Sequence, residues 1–240
     1  TLQEILDQHR VPYNGSDALS SRLAFSKRAT KELLEQQGIK TPAWQHYTIT
    51  NTKAGELADS MFHDVPQPCV IKPDRGGSSL GVVVAKDYDA LVAAVEELAS
   101  RGVEEVVVEE YVGNCEATVG VIEDFRDTEY YALPAVEIVP QNEFFDYQAK
   151  YEGAIEEVCP ARFSDETKRE LERLAIKVHQ VLELDDYSRT DFIIHPTRGI
   201  YVLEVNTLPG MTTSSLMPQE IEAVGSTLEE FYKEVIAHKL

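Results

Sequence analysis

The feature that most constrains the fold is a pair of apolar segments near the carboxyl end of the chain. Residues 190–195 and 200–205 are separated only by a turn at residues 196–199. Apolar runs of this length, joined by a short turn, predict a β-hairpin. The second run is rich in valine and leucine, which indicates a largely buried sheet. The chain must therefore fold around a sheet whose buried strands also carry charged residues.

Charged and amide side chains recur at two-residue spacing in this hairpin. Arg189 and Asp191 are two positions apart, as are Glu204 and Asn206, so each pair shares one face of its strand. Buried carboxylates are costly unless a cation neutralises them. Two carboxylates and a carboxamide suit Mg²⁺, with nucleotide phosphates completing the octahedron. Arg189 would stabilise charge on a transferred phosphoryl group. The alternative is two ion-paired strands whose charges face solvent.

A glycine- and serine-rich loop follows an earlier predicted strand. Residues 70–81 read VIKPDRGGSSLG, so Lys72 ends the strand and another strand is expected at residues 80–85. Glycines let backbone amides approach an anion closely. The GK[ST] ending of a P-loop is absent. The pattern favours a strand–loop–strand flap over phosphates, and the alternative is a glycine-rich hairpin with a surface lysine.

A hinge between two lobes is expected after the valine run at residues 106–108. A continuous apolar run is typical of a strand buried on both faces. The segment 109–116, EEYVGNCE, follows it directly. A carboxylate in this segment can accept a hydrogen bond from an adenine amino group or a ribose hydroxyl.

The periodicity elsewhere predicts mixed helices and strands, an α/β (α+β) fold. Helices are expected at residues 1–10, 17–37, 53–63, 87–101, 164–184 and 226–238, and further strands at 47–50, 69–72, 117–122 and 130–139. Residues 140–160 form a long polar stretch, and such stretches in compact domains are often functional.

Composition excludes several classes of protein. The formal net charge of −20 disfavours binding to nucleic acid and to anionic lipid surfaces. Three widely spaced cysteines and scattered histidines favour neither a zinc site nor a disulfide framework. No apolar run approaches the roughly 18 residues of a membrane span, and residues 1–10 do not resemble a signal peptide. A cytoplasmic protein is expected.

Four blocks, taken in order, resemble the D-alanine–D-alanine ligase family of the ATP-grasp superfamily. They are KPDRGGSSLG at 72–81, DYQAKY at 146–151, SRTDF at 188–192 and EVNTLPGMTTSSLMP at 204–218. The resemblance implies an ATP-grasp fold in which two α/β subdomains sandwich the nucleotide. It also implies ATP, two Mg²⁺ ions (Mn²⁺ being an alternative) and D-alanine as ligands. The product would be the dipeptide used in peptidoglycan synthesis.

The resemblance also assigns roles to individual residues. It implies ATP-binding residues Lys27, Lys72, Ser79, Glu109, Val112, Glu116 and Lys150; catalytic residues Ser78, Tyr151, Arg189 and Gly210; substrate-binding residues Ser215 and Leu216; and metal ligands Asp191, Glu204 and Asn206. Glu109 and Val112 would hold adenine, Glu116 the ribose and Lys150 the γ-phosphate. Tyr151 resembles the mobile-loop tyrosine associated with D-alanine as second substrate. The family commonly has lysine where Glu110 stands.

The resemblance divides the chain into three parts. Residues 1–42 would be a remnant of the family's amino-terminal lobe with a connecting helix, 43–112 the small subdomain, and 113–240 the large subdomain with a mobile loop at 140–160. The rest of that lobe, which in the family binds the ammonium of the first substrate, would precede Thr1. A homodimer is expected of the full-length family. The alternatives are a ligase of other amino-acid specificity and a nucleotide-binding fragment without turnover.

Overall fold

The computed structural model describes residues 1–50, 53–113, 115–140 and 155–237, with the side chains of residues 140 and 155 excepted. Three helices come first, α1 (Leu2–His9), α2 (Ala18–Phe25) and α3 (Lys27–Gln36). The single helix expected over residues 17–37 was therefore wrong. Ser26 interrupts it in an extended conformation and caps α3, because its hydroxyl accepts a hydrogen bond from the Ala29 amide.

The first sheet contains four antiparallel strands in the order β1-β4-β2-β3. Its strands are β1 (Trp44–Thr48), β2 (Cys69–Pro73), β3 (Val83–Ala85) and β4 (Glu105–Glu110), with helices α4 (Ala54–Asp64) and α5 (Tyr88–Ser100) interspersed. Residues 106–108 are fully buried in β4, as expected. The strand predicted over 80–85 is shorter, since Ser78, Ser79 and Gly81 have positive φ angles, which a strand cannot accommodate.

The second sheet, within the described ranges, has six strands. They are β5 (Cys115–Phe125), β6 (Thr128–Ala132), β7 (Val136–Pro140), β8 (Ile155–Val158), β9 (Tyr187–His195) and β10 (Gly199–Asn206). The order is β10-β9-β5-β7-β8, and β6 also pairs with β5. The single strand expected over residues 130–139 is two strands, because the chain leaves β6 at Leu133, whose amide donates to the Gly120 carbonyl. β8 was not predicted.

Helices pack against the second sheet through two apolar clusters. Helix α6 (Asp165–Val181) contributes to the cluster that contains Phe192 and Val202. Helices α7 (Leu216–Ala223) and α8 (Leu228–Ala237) contribute to the cluster that contains Phe125 and Leu133. Burying a side chain of this size contributes roughly 1.5–3 kcal/mol relative to exposing it. The first cluster contains buried residues of both hairpin strands and so holds β9 and β10 against α6. Helix α7 was not expected from the sequence. Among the described helices, none has the length and apolar character needed to cross a bilayer.

Candidate nucleotide- and metal-binding site

A cavity of about 480 Å³ is lined by residues of both sheets. Thirteen of the residues assigned above to ATP, metal, catalysis or substrate line it: Lys27, Lys72, Ser78, Ser79, Glu109, Val112, Glu116, Arg189, Asp191, Glu204, Asn206, Gly210 and Leu216. Ser215 does not line the cavity but precedes Leu216 at the start of α7. Lys150 and Tyr151 lie outside the described residues. Side chains from distant parts of the chain thus face one space.

The hairpin β9–β10 reaches its register through a β-bulge. Val202 pairs with Phe192, but the next paired residue is Glu204, opposite Asp191, so Leu203 is an extra residue. Asn206 then pairs with Arg189. Directly opposed residues in an antiparallel pair share one face of the sheet. The bulge therefore aligns the four polar side chains on the cavity side.

Asp191 is the centre of the hydrogen bonds in this polar group. Its carboxylate accepts from Arg189 Nε at 3.1 Å and Nη2 at 3.2 Å, from Asn206 Nδ2 at 3.0 Å and from Thr118 Oγ1 at 2.5 Å. The pKa of Arg189 is raised: burial opposes this, but the charge and hydrogen bonds of Asp191 outweigh it. Arg189 is thus fixed as a cation beside two carboxylates, since Glu204 lies on the neighbouring strand.

The donor set fits a hard divalent cation. Asp191 and Glu204 supply carboxylate oxygens, and Asn206 supplies a carboxamide oxygen once its amide is turned toward the ion. The described residues contain no group of three histidine, cysteine, aspartate or glutamate side chains arranged for a metal. Two carboxylates alone leave coordination positions open, which suits an ion that keeps water and phosphate ligands rather than a closed structural site.

The loop between β2 and β3, which the sequence predicts to be a flap over phosphates, is anchored to the start of α3. The Asp74 carboxylate accepts from Ser26 Oγ at 2.9 Å and from the Arg28 amide at 2.8 Å. The Lys27 amide donates to the Asp74 carbonyl at 3.0 Å, and Lys27 Nζ donates to the Gly76 carbonyl at 3.1 Å. A polar group buried this deeply requires such partners. This anchoring holds Lys27 at the base of the loop, 3.9 Å from Glu204.

Two lysines share one carboxylate beneath this loop. Glu109 Oε1 lies 2.7 Å from Lys72 Nζ and 2.9 Å from Lys31 Nζ. Burial raises the pKa of Glu109, but the two ammonium groups outweigh it and hold the pKa below its ordinary value. In the structure the Glu109 carboxylate is directed at the two lysines. The expected contact of Glu109 with adenine stays a prediction. Lys31 was missed because a helical lysine carries no motif.

The segment after β4 turns at the edge of the cavity. Val112 is almost fully buried and lines it together with Tyr111 and Glu116. Glu110, which departs from the family pattern, lies 2.8 Å from Arg198 and so is ion-paired across to the β9–β10 turn. Burial and the nearby Glu116 raise the pKa of Tyr111. The acidic replacement at Glu110 is thus balanced by a local cation.

The opposite end of the cavity contains a compact turn before α7. A Cβ atom at Gly210 would lie 2.8 Å from Ser215 Oγ, so a larger residue here would displace the Ser215 hydroxyl. Ser215 Oγ accepts from the Thr212 amide at 3.1 Å and contacts the Thr212 hydroxyl at 2.8 Å. The turn therefore places Gly210 in the wall of the cavity that Arg189 also lines.

Glu220, a buried acid close to Arg189, was also not predicted from the sequence. Glu220 on α7 is fully buried, and its carboxyl accepts from the Gly120 amide at 2.8 Å. Burial raises the pKa of Glu220 well above its ordinary value. The only sequence signal would have been a helical pattern placing Glu220 on the apolar face of α7.

Comparison with known proteins identifies the family. The sequence model of the family described as D-ala D-ala ligase C-terminus matches residues 33–237. A D-alanine–D-alanine ligase of Desulfotalea psychrophila is 38% identical over 230 residues, 94% of this chain and 69% of the relative. The structure of the Bacillus anthracis D-alanine–D-alanine ligase complexed with ATP has a TM-score of 0.81 at 29% identity, covering 99% of this chain and 73% of that one. The VanG D-Ala:D-Ser ligase of Enterococcus faecalis has a TM-score of 0.87 at 29% identity, covering 100% and 68%. With its ATP-grasp fold and these relatives, the chain belongs to the D-alanine–D-alanine ligase family.

Proposed function

We propose that this protein is an ATP-dependent ligase that joins two D-alanine molecules and supplies the dipeptide for peptidoglycan synthesis. The observation that carries the proposal is the meeting of Asp191, Glu204 and Asn206 with Lys27 and Lys72 around one cavity. Carboxylate, carboxamide and ammonium groups in this arrangement suit a magnesium nucleotide. The family membership supports the choice of D-alanine as substrate.

The first step is phosphoryl transfer to the carboxylate of one D-alanine. A carboxylate oxygen attacks the γ-phosphorus of ATP, the bond to the β-γ bridging oxygen breaks, and an acyl phosphate and ADP result. Lys27 and Lys72 would neutralise charge on the phosphates, and Ser78 in the flap would orient the D-alanine. Asp191, Glu204 and Asn206 would hold two Mg²⁺ ions, which supply charge neutralisation when bound.

The second step is acyl transfer to the amine of another D-alanine. The amine nitrogen attacks the acyl carbon, a tetrahedral oxyanion forms, and phosphate leaves as the amine loses a proton. Arg189 and the Gly210 amide would stabilise the oxyanion, because both groups lie on the cavity wall. Ser215 and Leu216 would hold the carboxylate of this D-alanine. Lys150 and Tyr151 retain their proposed roles at the γ-phosphate and in closing the site.

A ligase with another second substrate is the competing function. The VanG D-Ala:D-Ser ligase of Enterococcus faecalis shares the fold over the whole of this chain. Specificity for the second substrate depends on few contacts, and a single methyl or hydroxyl group in a pocket changes binding only modestly. The turn around Ser215 and Leu216 is where we expect this choice to be made.

Phosphate release from ATP in the presence of D-alanine tests the proposal. Release that requires both D-alanine and Mg²⁺, with dipeptide detected by mass spectrometry, is expected. A panel of D-serine, D-lactate and other D-amino acids as second substrate separates the two ligase activities. Calorimetry with ATP and Mg²⁺ distinguishes a nucleotide-binding fragment, which would bind without turnover. ATP binding with no amino-acid-dependent phosphate release would overturn the ligase assignment.

A cytoplasmic location, a homodimer and acceptance of Mn²⁺ belong to the same proposal. Sedimentation of the purified protein tests the dimer, and substitution of Mn²⁺ in the phosphate-release assay tests the ion.

A further inference from the structure

A buried lysine that the two chemical steps do not use lies directly behind the phosphate-binding region. Lys31 on α3 is 1% exposed, and its ammonium contacts the Thr41 hydroxyl and lies 2.9 Å from Glu109 Oε1. The same oxygen lies 2.7 Å from Lys72 Nζ. Lys72 lines the cavity, whereas Lys31 does not. A fully buried ammonium is costly unless it is paired, so its position calls for a physical reason.

The three groups have an uneven charge balance. Glu109 is held ionised by its neighbours, since the two ammonium groups lower its pKa. With both lysines protonated, the cluster of Lys31, Lys72 and Glu109 carries one net positive charge. Without Lys31, the carboxylate would pair with Lys72 alone, and the cluster would be neutral. The difference is felt in the cavity, because Lys72 and Glu109 both line it.

We propose that Lys31 is a positioning residue that shares Glu109 with Lys72 and so keeps a net positive charge directed at the nucleotide phosphates. The inference rests on the proposed function only in taking a nucleotide as the ligand of the cavity. Glu109 fixes the Lys72 ammonium in place, and Lys31 prevents that contact from cancelling its charge. A preorganised cation of this kind attracts a phosphate without rearrangement on binding.

Charge substitution separates this role from simple packing. Lys31→Met keeps most of the aliphatic volume but leaves Glu109 paired with Lys72 alone. We expect the Kd for ATP with Mg²⁺ to rise about tenfold, equivalent to about 1.4 kcal/mol, and KM to change more than kcat. The double variant Lys31→Met/Glu109→Gln restores one net positive charge. It should recover most of the affinity that Lys31→Met loses for tripolyphosphate with Mg²⁺, a ligand without adenine, so that the adenine contact proposed for Glu109 does not enter the comparison. Lys233→Met, which removes an exposed lysine 2.6 Å from Glu229, is the matched control.

The pH dependence of binding offers a second readout. Burial lowers the pKa of Lys31 to about 8, with Glu109 and Glu35 opposing the shift and Lys72 adding to it. Lys31 is therefore charged below pH 8 and loses its proton above it. Binding of ATP with Mg²⁺ should weaken between pH 7.5 and about 9. Lys27 on the same helix also has a pKa lowered by burial, so the dependence must flatten in Lys31→Met.

Each outcome decides the inference. Unchanged Kd in a folded Lys31→Met protein overturns it. Weakened binding of tripolyphosphate with Mg²⁺ that the double variant does not recover assigns Lys31 to packing and also overturns it. Should Lys31→Met fail to fold, Lys31→Arg replaces it, because arginine stays charged across this pH range. A wild-type Kd that is constant from pH 7.5 to about 9, or a pH dependence that persists in Lys31→Arg, overturns the inference, whereas a dependence that is lost in Lys31→Arg supports it. Loss of D-alanine dependence with these ATP results intact overturns only the proposed ligase activity, whereas absence of ATP binding by the wild type overturns both.

Discussion

Replacing Asp191 by asparagine separates the chemistry of the hairpin from its stability. The substitution keeps the shape of the side chain and removes its charge. A magnesium nucleotide would lose a charged ligand, so we expect kcat/KM for ATP to fall at least about 100-fold, equivalent to about 2.7 kcal/mol. The concentration of Mg²⁺ needed for half-maximal rate should rise in parallel.

The stability cost of the same change follows from the contacts of Asp191. Arg189 Nε lies 3.1 Å from Oδ1, with side-chain exposures of 15% for Arg189 and 23% for Asp191. Unit charges about 4 Å apart attract by about 4 kcal/mol in partly hydrated protein. Residual hydration and the surviving hydrogen bonds from Thr118 and Asn206 reduce the loss, so we expect about 1–3 kcal/mol in unfolding free energy. Urea denaturation measures it.

Two further variants test whether the effect of Asp191→Asn comes from the loss of a metal ligand. Glu222→Gln, an exposed carboxylate on α7, also removes one negative charge and should change neither activity nor stability measurably. Thr118→Val removes a hydroxyl donor to Asp191 but no charge or metal ligand, so activity should fall less than about tenfold. Turnover and Mg²⁺ dependence that remain unchanged in folded Asp191→Asn would refute the assignment of the cavity to a magnesium nucleotide.

Three other substitutions test residues that affect the stability of the structure around the cavity. Ser26→Ala removes both the cap of α3 and a hydrogen bond to Asp74, and should lower unfolding free energy by about 1–2 kcal/mol in urea denaturation. Gly81→Ala places a Cβ 3.0 Å from Leu98 at a φ of +75°, so we expect a loss of about 1–3 kcal/mol by the same measurement. Because the folded pKa of Glu220 is raised, the folded state binds the extra proton, and wild-type stability falls as pH rises above about 4.5, its unfolded value. Glu220→Gln removes this dependence and should therefore raise Tm near pH 7 but not near pH 4; an equal change at both pH values would contradict the explanation.

The sequence predicted the parts of the fold whose signals are local. The helix that Asp87 caps and the buried strand at residues 106–108 follow from capping and apolar runs, and both are present. The continuous helix over residues 17–37 failed at Ser26, because the decisive contact is with Asp74, 48 positions away. A helix boundary that is fixed by a contact this distant in sequence cannot be read from local periodicity.

The environment of Glu109 illustrates the same limit at the site. A glutamate after a buried strand indicates a polar contact at the edge of a lobe, but its partners are not specified by the strand. Lys31 comes from helix α3 and Lys72 from the strand β2 next to β4, and only the tertiary fold brings both ammonium groups within 3 Å of one oxygen. The residue types were sufficient to expect an ion-binding region. Which of its charged groups are paired inside the protein and which line the cavity could be read only from the three-dimensional structure.

The pairing of Glu204 with Asp191 depends on a β-bulge, a feature that strict alternation along a strand does not contain. In a regular strand, Val202, Glu204 and Asn206 would share one face, and continuing the pairing of Val202 with Phe192 would place Glu204 opposite residue 190 rather than Asp191. Val202 and Val205 both belong to the core cluster, although their spacing in a regular strand would put them on opposite faces. One extra residue satisfies both demands, since it shifts Val205 into the core and Glu204 toward Asp191. Because both valines are buried in the core, the strand needs the bulge, and the bulge brings the carboxylates of Asp191 and Glu204 together.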